Sequence, residues 1–160
     1  MEIGNAGDAV TLEDDIRSLT GVGLFAQLNK EQLRLMAFGA ERIRVLQGRD
    51  LYRQHARADC AYVVADGKIE LYSDDNGERR VLQTVGPGAM LGEFALICET
   101  ERLTGAMAAE DSSVIRLNRS LFRRVLEEYP DIASRLHKEI AARLGDMVDK
   151  LTKLESRFIN

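Results

Sequence analysis

The sequence predicts a mainly β fold of the sandwich, barrel or jelly-roll type, with helices at both ends. Three observations support this prediction. Between about residues 41 and 117, short segments alternate apolar and polar residues or are rich in β-branched ones. Turn signals divide these segments at Gly48, Asp66-Gly67, Asn76-Gly77 and Gly86-Pro87-Gly88. Before and after this stretch, apolar residues recur instead at helical spacing.

Two helices are expected before the strands. Thr11 precedes LEDDIRSL, whose acidic first turn suits the positive end of a helix dipole. Asn29 is a candidate cap for a second helix, NKEQLRLMAFGA, because Gln32 follows three residues later as in a capping box. The first ten residues, MEIGNAGDAV, are small and polar, and we expect them to be disordered.

The clearest hairpin among the strands is KIELYSDDNGERRVLQ, because Asn76 and Gly77 accept the positive φ angles of a tight turn. Helix is expected to return after Leu117. Asn118 or Ser120 can cap SLFRRVLEEY, and Pro130 ends that helix.

A last helical segment is expected to begin at Asp131 as its cap. Its apolar residues are Leu136, Ile140, Leu144, Met147, Leu151, Leu154 and Phe158. From Leu144 onward their spacing is that of a coiled-coil seam, which favours a homodimer formed through residues 131–158. The alternative is that the segment folds back on its own domain. The chain thus divides into a disordered segment 1–10, a domain 11–130 and a C-terminal helix 131–160.

Composition limits the classes of partner. The net charge of −4 argues against direct binding of nucleic acid. No apolar run approaches the roughly 20 residues of a membrane-spanning helix, so no membrane partner is expected. Two cysteines, Cys60 and Cys98, are too few for a disulfide framework, which favours a cytoplasmic protein. No nucleophile–base pair or metal cluster is recognisable, so we expect neither an enzyme nor a catalytic cofactor.

The most informative stretch is LGEFALICETERLTG, around residues 92–105. A helical turn at Phe94–Ile97 would expose backbone N–H groups, which attract anions. The small residues Gly92 and Ala95 let a ligand approach the backbone. Arg102 supplies a planar fork suited to phosphate oxygens, whereas Glu93 suits hydroxyl groups. The pattern favours a sugar phosphate or nucleotide. The alternative is a Glu93–Arg102 salt bridge that closes a loop.

This stretch resembles the phosphate-binding cassette of cyclic nucleotide-binding domains, whose pattern is Phe-Gly-Glu-Leu-Ala-Leu followed by Pro-Arg-Ala-Ala-Thr/Ser. The resemblance extends over residues 20–158 and implies an antiparallel jelly roll with N-terminal helices and a long C-terminal helix. It implies that Glu93 binds the ribose 2′-hydroxyl and that Arg102 binds the cyclic phosphate. The amides of Ala95 and Leu103 would hold the remaining phosphate oxygens, with Gly92 and Thr104 beside them.

Four positions depart from the family pattern. Glu101 replaces the proline before the arginine, and Glu99 adds a second negative charge near the site. Leu103 replaces a small residue. Members that prefer cGMP often carry threonine there, so leucine indicates cAMP more than cGMP. His55 stands at a position that is commonly glycine.

The resemblance therefore implies a regulatory domain that binds a cyclic nucleotide, with cAMP favoured over cGMP, and relays the signal through its C-terminal helix to an unknown downstream protein. In the family this helix often covers the base, which places contacts between about residues 135 and 150. Two alternatives remain open. One is a dimeric scaffold whose pocket binds no nucleotide, and the other is a truncated part of a DNA-binding transcription regulator.

Overall fold

Two short helices begin the part of the chain that can be described. The computed structural model describes residues 11–159, with side chains up to residue 149, so the expected disorder of residues 1–10 lies outside the described residues. The first elements are α1 (Leu12–Thr20), a 3₁₀ turn (Gly23–Phe25) and α2 (Lys30–Gly39). Thr11 and Asp14 form a capping box at α1, and Asn29 and Gln32 form another at α2. Both predicted helices are thus confirmed.

Ten strands follow. They are β1 (Glu41–Val45), β2 (Asp50–Tyr52), β3 (Arg57–Ala58), β4 (Cys60–Asp66), β5 (Ile69–Asp75), β6 (Glu78–Val85), β7 (Met90–Leu91), β8 (Thr100–Glu101), β9 (Gly105–Ala108) and β10 (Ser112–Asn118). Within the described residues they form two four-stranded antiparallel sheets, ordered β1-β10-β4-β7 and β2-β9-β5-β6, and β3 pairs with β8. The mainly β prediction is confirmed.

Two turns depend on residues with positive φ. Asn76 and Gly77 join β5 to β6 with φ angles of 55° and 85°, as the hairpin prediction requires. His55, which stands where the family commonly has glycine, adopts φ 71°. The turn between β2 and β3 therefore keeps the glycine-like conformation even though the residue has changed.

The apolar interior consists of two clusters. One lies between the two larger sheets and includes Val64, Ile69 and Val114. The other joins the outer face of the first sheet to the helices, and Phe25 and Phe122 are fully buried there. The helices at the two ends of the chain thus share one core with the β domain.

The C-terminal helices decide one open alternative and correct one expectation. Of the two candidate caps, it is Asn118 that caps α3 (Arg119–Glu128), by accepting from the amide of Leu121 at 2.8 Å. The next helix, α4 (Pro130–Ile159), begins at Pro130 and not after Asp131. Proline suits the first position of a helix, because it lacks an N–H that would have no partner there.

The start of α4 packs on its own domain. Leu136 and Ile140 are fully buried in the cluster that contains Phe122, so this part of the proposed dimer seam folds back. One helical turn later the helix becomes exposed, first at Leu144 and then at the neighbouring Val148. Side chains from residue 150 onward, including Leu151, Leu154 and Phe158, lie outside the described residues.

Candidate functional site

A left-handed glycine begins the site. Gly92 directly follows β7 and has φ 74°, which turns the chain into a 3₁₀ helix over Glu93–Leu96. The sequence predicted this turn one residue later, at Phe94–Ile97. A Cβ atom on residue 92 would overlap Nη1 of Arg102. Glycine is therefore required both for the turn and for the approach of the arginine.

Backbone hydrogen bonds fix Arg102 opposite this glycine. The residue follows β8, its amide donates to the carbonyl of Ala56 at 2.8 Å, and its carbonyl accepts from the amide of His55 at 2.8 Å. Its side chain is buried, and the residue is only 6% exposed. Among the described residues Nη1 has no hydrogen-bond acceptor. A buried cationic donor without a partner is costly, so an anion at this point would satisfy it.

Two tyrosines and a cysteine surround the guanidinium group of Arg102. Its Cζ atom lies 4.3 Å from the ring centroid of Tyr52 and 5.5 Å from that of Tyr62. The two rings stack with centroids 5.9 Å apart. Nη2 donates to Sγ of Cys60 at 3.3 Å. Sequence reasoning missed all three neighbours, because each contact joins residues about 40 to 50 positions apart with no local pattern.

Burial strengthens the hold of two tyrosines beside Arg102 on their phenolic protons. It raises the pKa of Tyr52, and the positive charge of Arg102 opposes this rise. Burial, followed by a hydrogen bond with Cys60, raises the pKa of Tyr62 to about 12. A hydrogen bond with Cys60 also raises the pKa of Arg116. Tyrosine is neutral at neutral pH even at its ordinary pKa, so the guanidinium of Arg102 faces neutral aromatic rings, which carry no negative charge to compensate its own.

Glu93 reaches the C-terminal helix. Its side chain is 19% exposed, and Oε1 lies 4.0 Å from Nη1 of Arg143 on α4. Glu139, one helical turn earlier, approaches the same guanidinium at 3.4 Å. Glu93 thus forms an ion pair with α4 and not with Arg102, which corrects the salt-bridge alternative. The expected range of 135–150 includes Arg143, but the sequence did not single it out.

The other expected site residues differ in availability. The amide of Ala95 donates to the carbonyl of Gly92 at 3.1 Å, so in this structure it is already paired. The side chain of Leu103 points to solvent, with 59% of the residue exposed, and it does not crowd the site. Thr104 is half-buried.

Arg119, at the start of α3, holds the loop from outside. Nε donates to the carbonyl of Ala95 at 2.7 Å, and Nη2 donates to those of Ala58 and Cys98 at 2.9 and 3.0 Å. These bonds join the 3₁₀ turn, β3 and α3. The arginine is thus a structural anchor of the site that sequence reasoning did not identify.

The two acidic departures lie in an outer cleft of about 480 Å³, which Arg102 does not line. Glu99 lies 3.9 Å from Arg57, and Glu101 lies 4.0 Å from His55. Both carboxylates are exposed. Solvent, and Arg57 in the case of Glu99, therefore screen much of the negative charge that the sequence places near the site.

Within the described side chains, no group of three or more His, Cys, Asp or Glu residues is arranged to hold a metal ion. Of the described helices, none has the length and apolar character needed to cross a membrane.

Comparisons with known proteins place this arrangement. A family model described as the cyclic nucleotide-binding domain matches residues 42–129, more than half of the chain and all of the site except α4. This chain belongs to the cyclic nucleotide-binding domain family. The two antiparallel sheets with flanking helices are therefore the jelly roll that the resemblance implied.

Three relatives define the extent of the similarity. The cyclic AMP receptor protein of Thermus thermophilus is 32% identical over 129 residues, 80% of this chain and 60% of that protein. The structure of a cyclic nucleotide-binding-like protein from Brucella abortus is 54% identical, with a TM-score of 0.66, and covers 71% of this chain and 98% of its own. A lysophospholipase of Phaeosphaeria nodorum is 30% identical over 113 residues, which are 70% of this chain and 8% of that protein. The domain thus spans less than two thirds of the curated relatives that it matches.

Proposed function

We propose that this domain is a sensor that binds a cyclic nucleotide, cAMP in preference to cGMP, and relays binding through α4. The observation that carries the proposal is the buried guanidinium of Arg102, whose Nη1 contacts Gly92 and has no acceptor among the described residues. A phosphate oxygen would supply that acceptor and a compensating charge. Glu93, on the other side of Gly92, would accept from a ribose hydroxyl.

The preference for cAMP depends on Leu103. In members of the family that prefer cGMP this position is often threonine, whose hydroxyl leucine lacks. The side chain of Leu103 is 59% exposed, so it leaves the site open without adding a polar group to it. The similarity to a cyclic AMP receptor protein, at 32% identity, supports the same preference.

The relay depends on the ion pair between Glu93 and Arg143. A ribose hydroxyl that bonds to Glu93 competes with Arg143 for the same carboxylate, so the ligand changes the attachment of α4. A ligand shifts such an equilibrium only by its differential affinity for the two arrangements. The exposed part of α4 is then the output of the domain.

Homodimerisation through residues 131–158 remains part of the proposal, but the dimer contact would begin further along the helix than the sequence suggested. Leu136 and Ile140 are buried in the domain, whereas Leu144 is 38% exposed. A second copy would cover the apolar residues from Leu144 onward. Sedimentation equilibrium tests this: Leu144→Lys is expected to lower the average mass, and a monomer in the wild type contradicts it.

Calorimetry tests the binding function. Protein stripped of ligand by unfolding and refolding is titrated with cAMP, cGMP and linear adenosine monophosphate. We expect a dissociation constant in the micromolar range or tighter for cAMP, weaker binding of cGMP, and little heat from the linear nucleotide. Equal binding of all three would contradict recognition of the cyclic phosphate. No heat with either cyclic nucleotide would favour the dimeric scaffold instead.

A further inference from the structure

The surroundings of Arg102 are more elaborate than a charge in a pocket requires. The guanidinium lies against Tyr52, with Tyr62 stacked beyond it, and Nη2 donates to the sulfur of Cys60. Cys60 and Tyr62 are two residues apart on β4 and therefore share one face of the strand, while Tyr52 ends β2. Three side chains from two strands, β2 and β4, thus converge on one guanidinium group.

Each contact restricts a different movement of the Arg102 guanidinium group. The ring of Tyr52, 4.3 Å from Cζ, opposes movement of the guanidinium out of its plane. The sulfur of Cys60 accepts from Nη2 at 3.3 Å and so opposes rotation within the plane. Together they leave Nη1 on the side of Gly92, without an acceptor among the described residues.

We propose that Tyr52, Tyr62 and Cys60 form an aromatic–thiol cradle that holds Arg102 in its phosphate-binding orientation before the ligand arrives. The three residues are positioning residues, because they act through Arg102 and not on the ligand. The inference rests on the proposed function. Its consequence is that Arg102 loses little rotamer freedom when the ligand binds. A long side chain that is mobile in the free protein must be ordered on binding, and that ordering weakens affinity measurably.

Matched substitutions test the cradle. Tyr52→Leu removes the ring, and we expect it to weaken cAMP binding by up to roughly tenfold, because the freed side chain of Arg102 must then be ordered when the ligand binds. Tyr52→Phe keeps the ring and is expected to restore most of the affinity. The control is Tyr72→Leu, since the ring of Tyr72 lies 4.3 Å from Cζ of Arg79 in the same fold but away from Arg102. A loss in Tyr72→Leu equal to that in Tyr52→Leu would indicate general destabilisation and overturn the proposal.

NMR of the ligand-free protein gives a readout that needs no nucleotide. If the cradle holds Arg102, its Nη1 and Nη2 resonances, assigned by their loss in Arg102→Lys, are separate in the wild type. Cys60→Ala, which removes the acceptor of Nη2, and Tyr52→Leu are expected to merge them. Merged resonances in the wild type, or separate ones in both variants, overturn the cradle. Failure of the wild type to bind either cyclic nucleotide refutes the proposed function, and the resonances still decide the cradle.

Discussion

Gly92 packs directly against the guanidinium group of Arg102: a Cβ atom on the glycine would overlap Nη1 of the arginine. The glycine also adopts φ 74°, which starts the 3₁₀ turn over Glu93–Leu96. The nine residues between the two close a loop that brings a left-handed turn against a buried cation. The buried arginine and the turn that faces it are therefore parts of one packing arrangement.

Gly92→Ala is expected to impair both the fold and the site. The left-handed conformation costs an alanine about 1–2 kcal/mol, and the methyl group displaces Nη1 of Arg102 as well. We expect weaker cAMP binding and a lower free energy of unfolding in urea. Gly23→Ala is the control, since no atom lies within 4 Å of a Cβ there. Similar losses in both variants would contradict the specific role of Gly92.

Arg143→Ala is expected to strengthen cAMP binding slightly. Glu93 then no longer has to leave an ion pair to accept a ribose hydroxyl. Because Arg143 is 39% exposed, the pair contributes about 0.2–1 kcal/mol, which limits the gain to roughly fivefold or less. The same variant should lose the ligand-dependent change in hydrogen exchange of α4. Arg135→Ala, an exposed arginine on the same helix, should change neither quantity. A ligand response in Arg143→Ala equal to that of the wild type would refute the proposed relay.

The raised pKa of Tyr62 predicts that the free energy of unfolding falls at high pH. Its pKa is raised from 10.0 to about 12, chiefly by burial. The folded protein therefore holds the phenolic proton more tightly than the unfolded chain does. The resulting stabilisation is complete below pH 10 and is lost as the pH rises toward about 12. Tyr62→Phe should lose less free energy of unfolding across that window, and its ultraviolet titration should lack the late phenolate transition. Identical titrations would contradict this assignment.

Local patterns were enough to predict the elements near the ends of helices and hairpins. The capping residues Thr11 and Asn29 act on groups three residues away, and Asn76 acts within its own turn. The proposed ligand-binding residues, Glu93 and Arg102, were predicted from a motif in which the two lie close in sequence. In each of these features the interacting residues lie within about ten positions of one another, so a single sequence is sufficient to identify them.

Long-range packing could not be predicted in the same way. Tyr52, Arg119 and Arg143 reach the site from strands and helices distant in sequence, and nothing in their immediate neighbours indicates the contact. Periodicity showed that the face of α4 with Leu136 and Leu144 is apolar, but not what covers each position. The domain covers Leu136, whereas Leu144 stays exposed.

We propose that cAMP binding depends on the buried positive charge of Arg102, and a pair of arginine substitutions tests this most directly. Wild type, Arg102→Ala and Arg57→Ala are each titrated with cAMP by calorimetry. Arg57 is the matched control because it is exposed and pairs with Glu99 in the outer cleft. We predict that Arg102→Ala loses binding by a factor of roughly 100 or more, as expected for loss of a buried charge-assisted contact, and that Arg57→Ala binds like the wild type. Equal affinity in Arg102→Ala and Arg57→Ala would contradict the claim that Arg102 binds the phosphate.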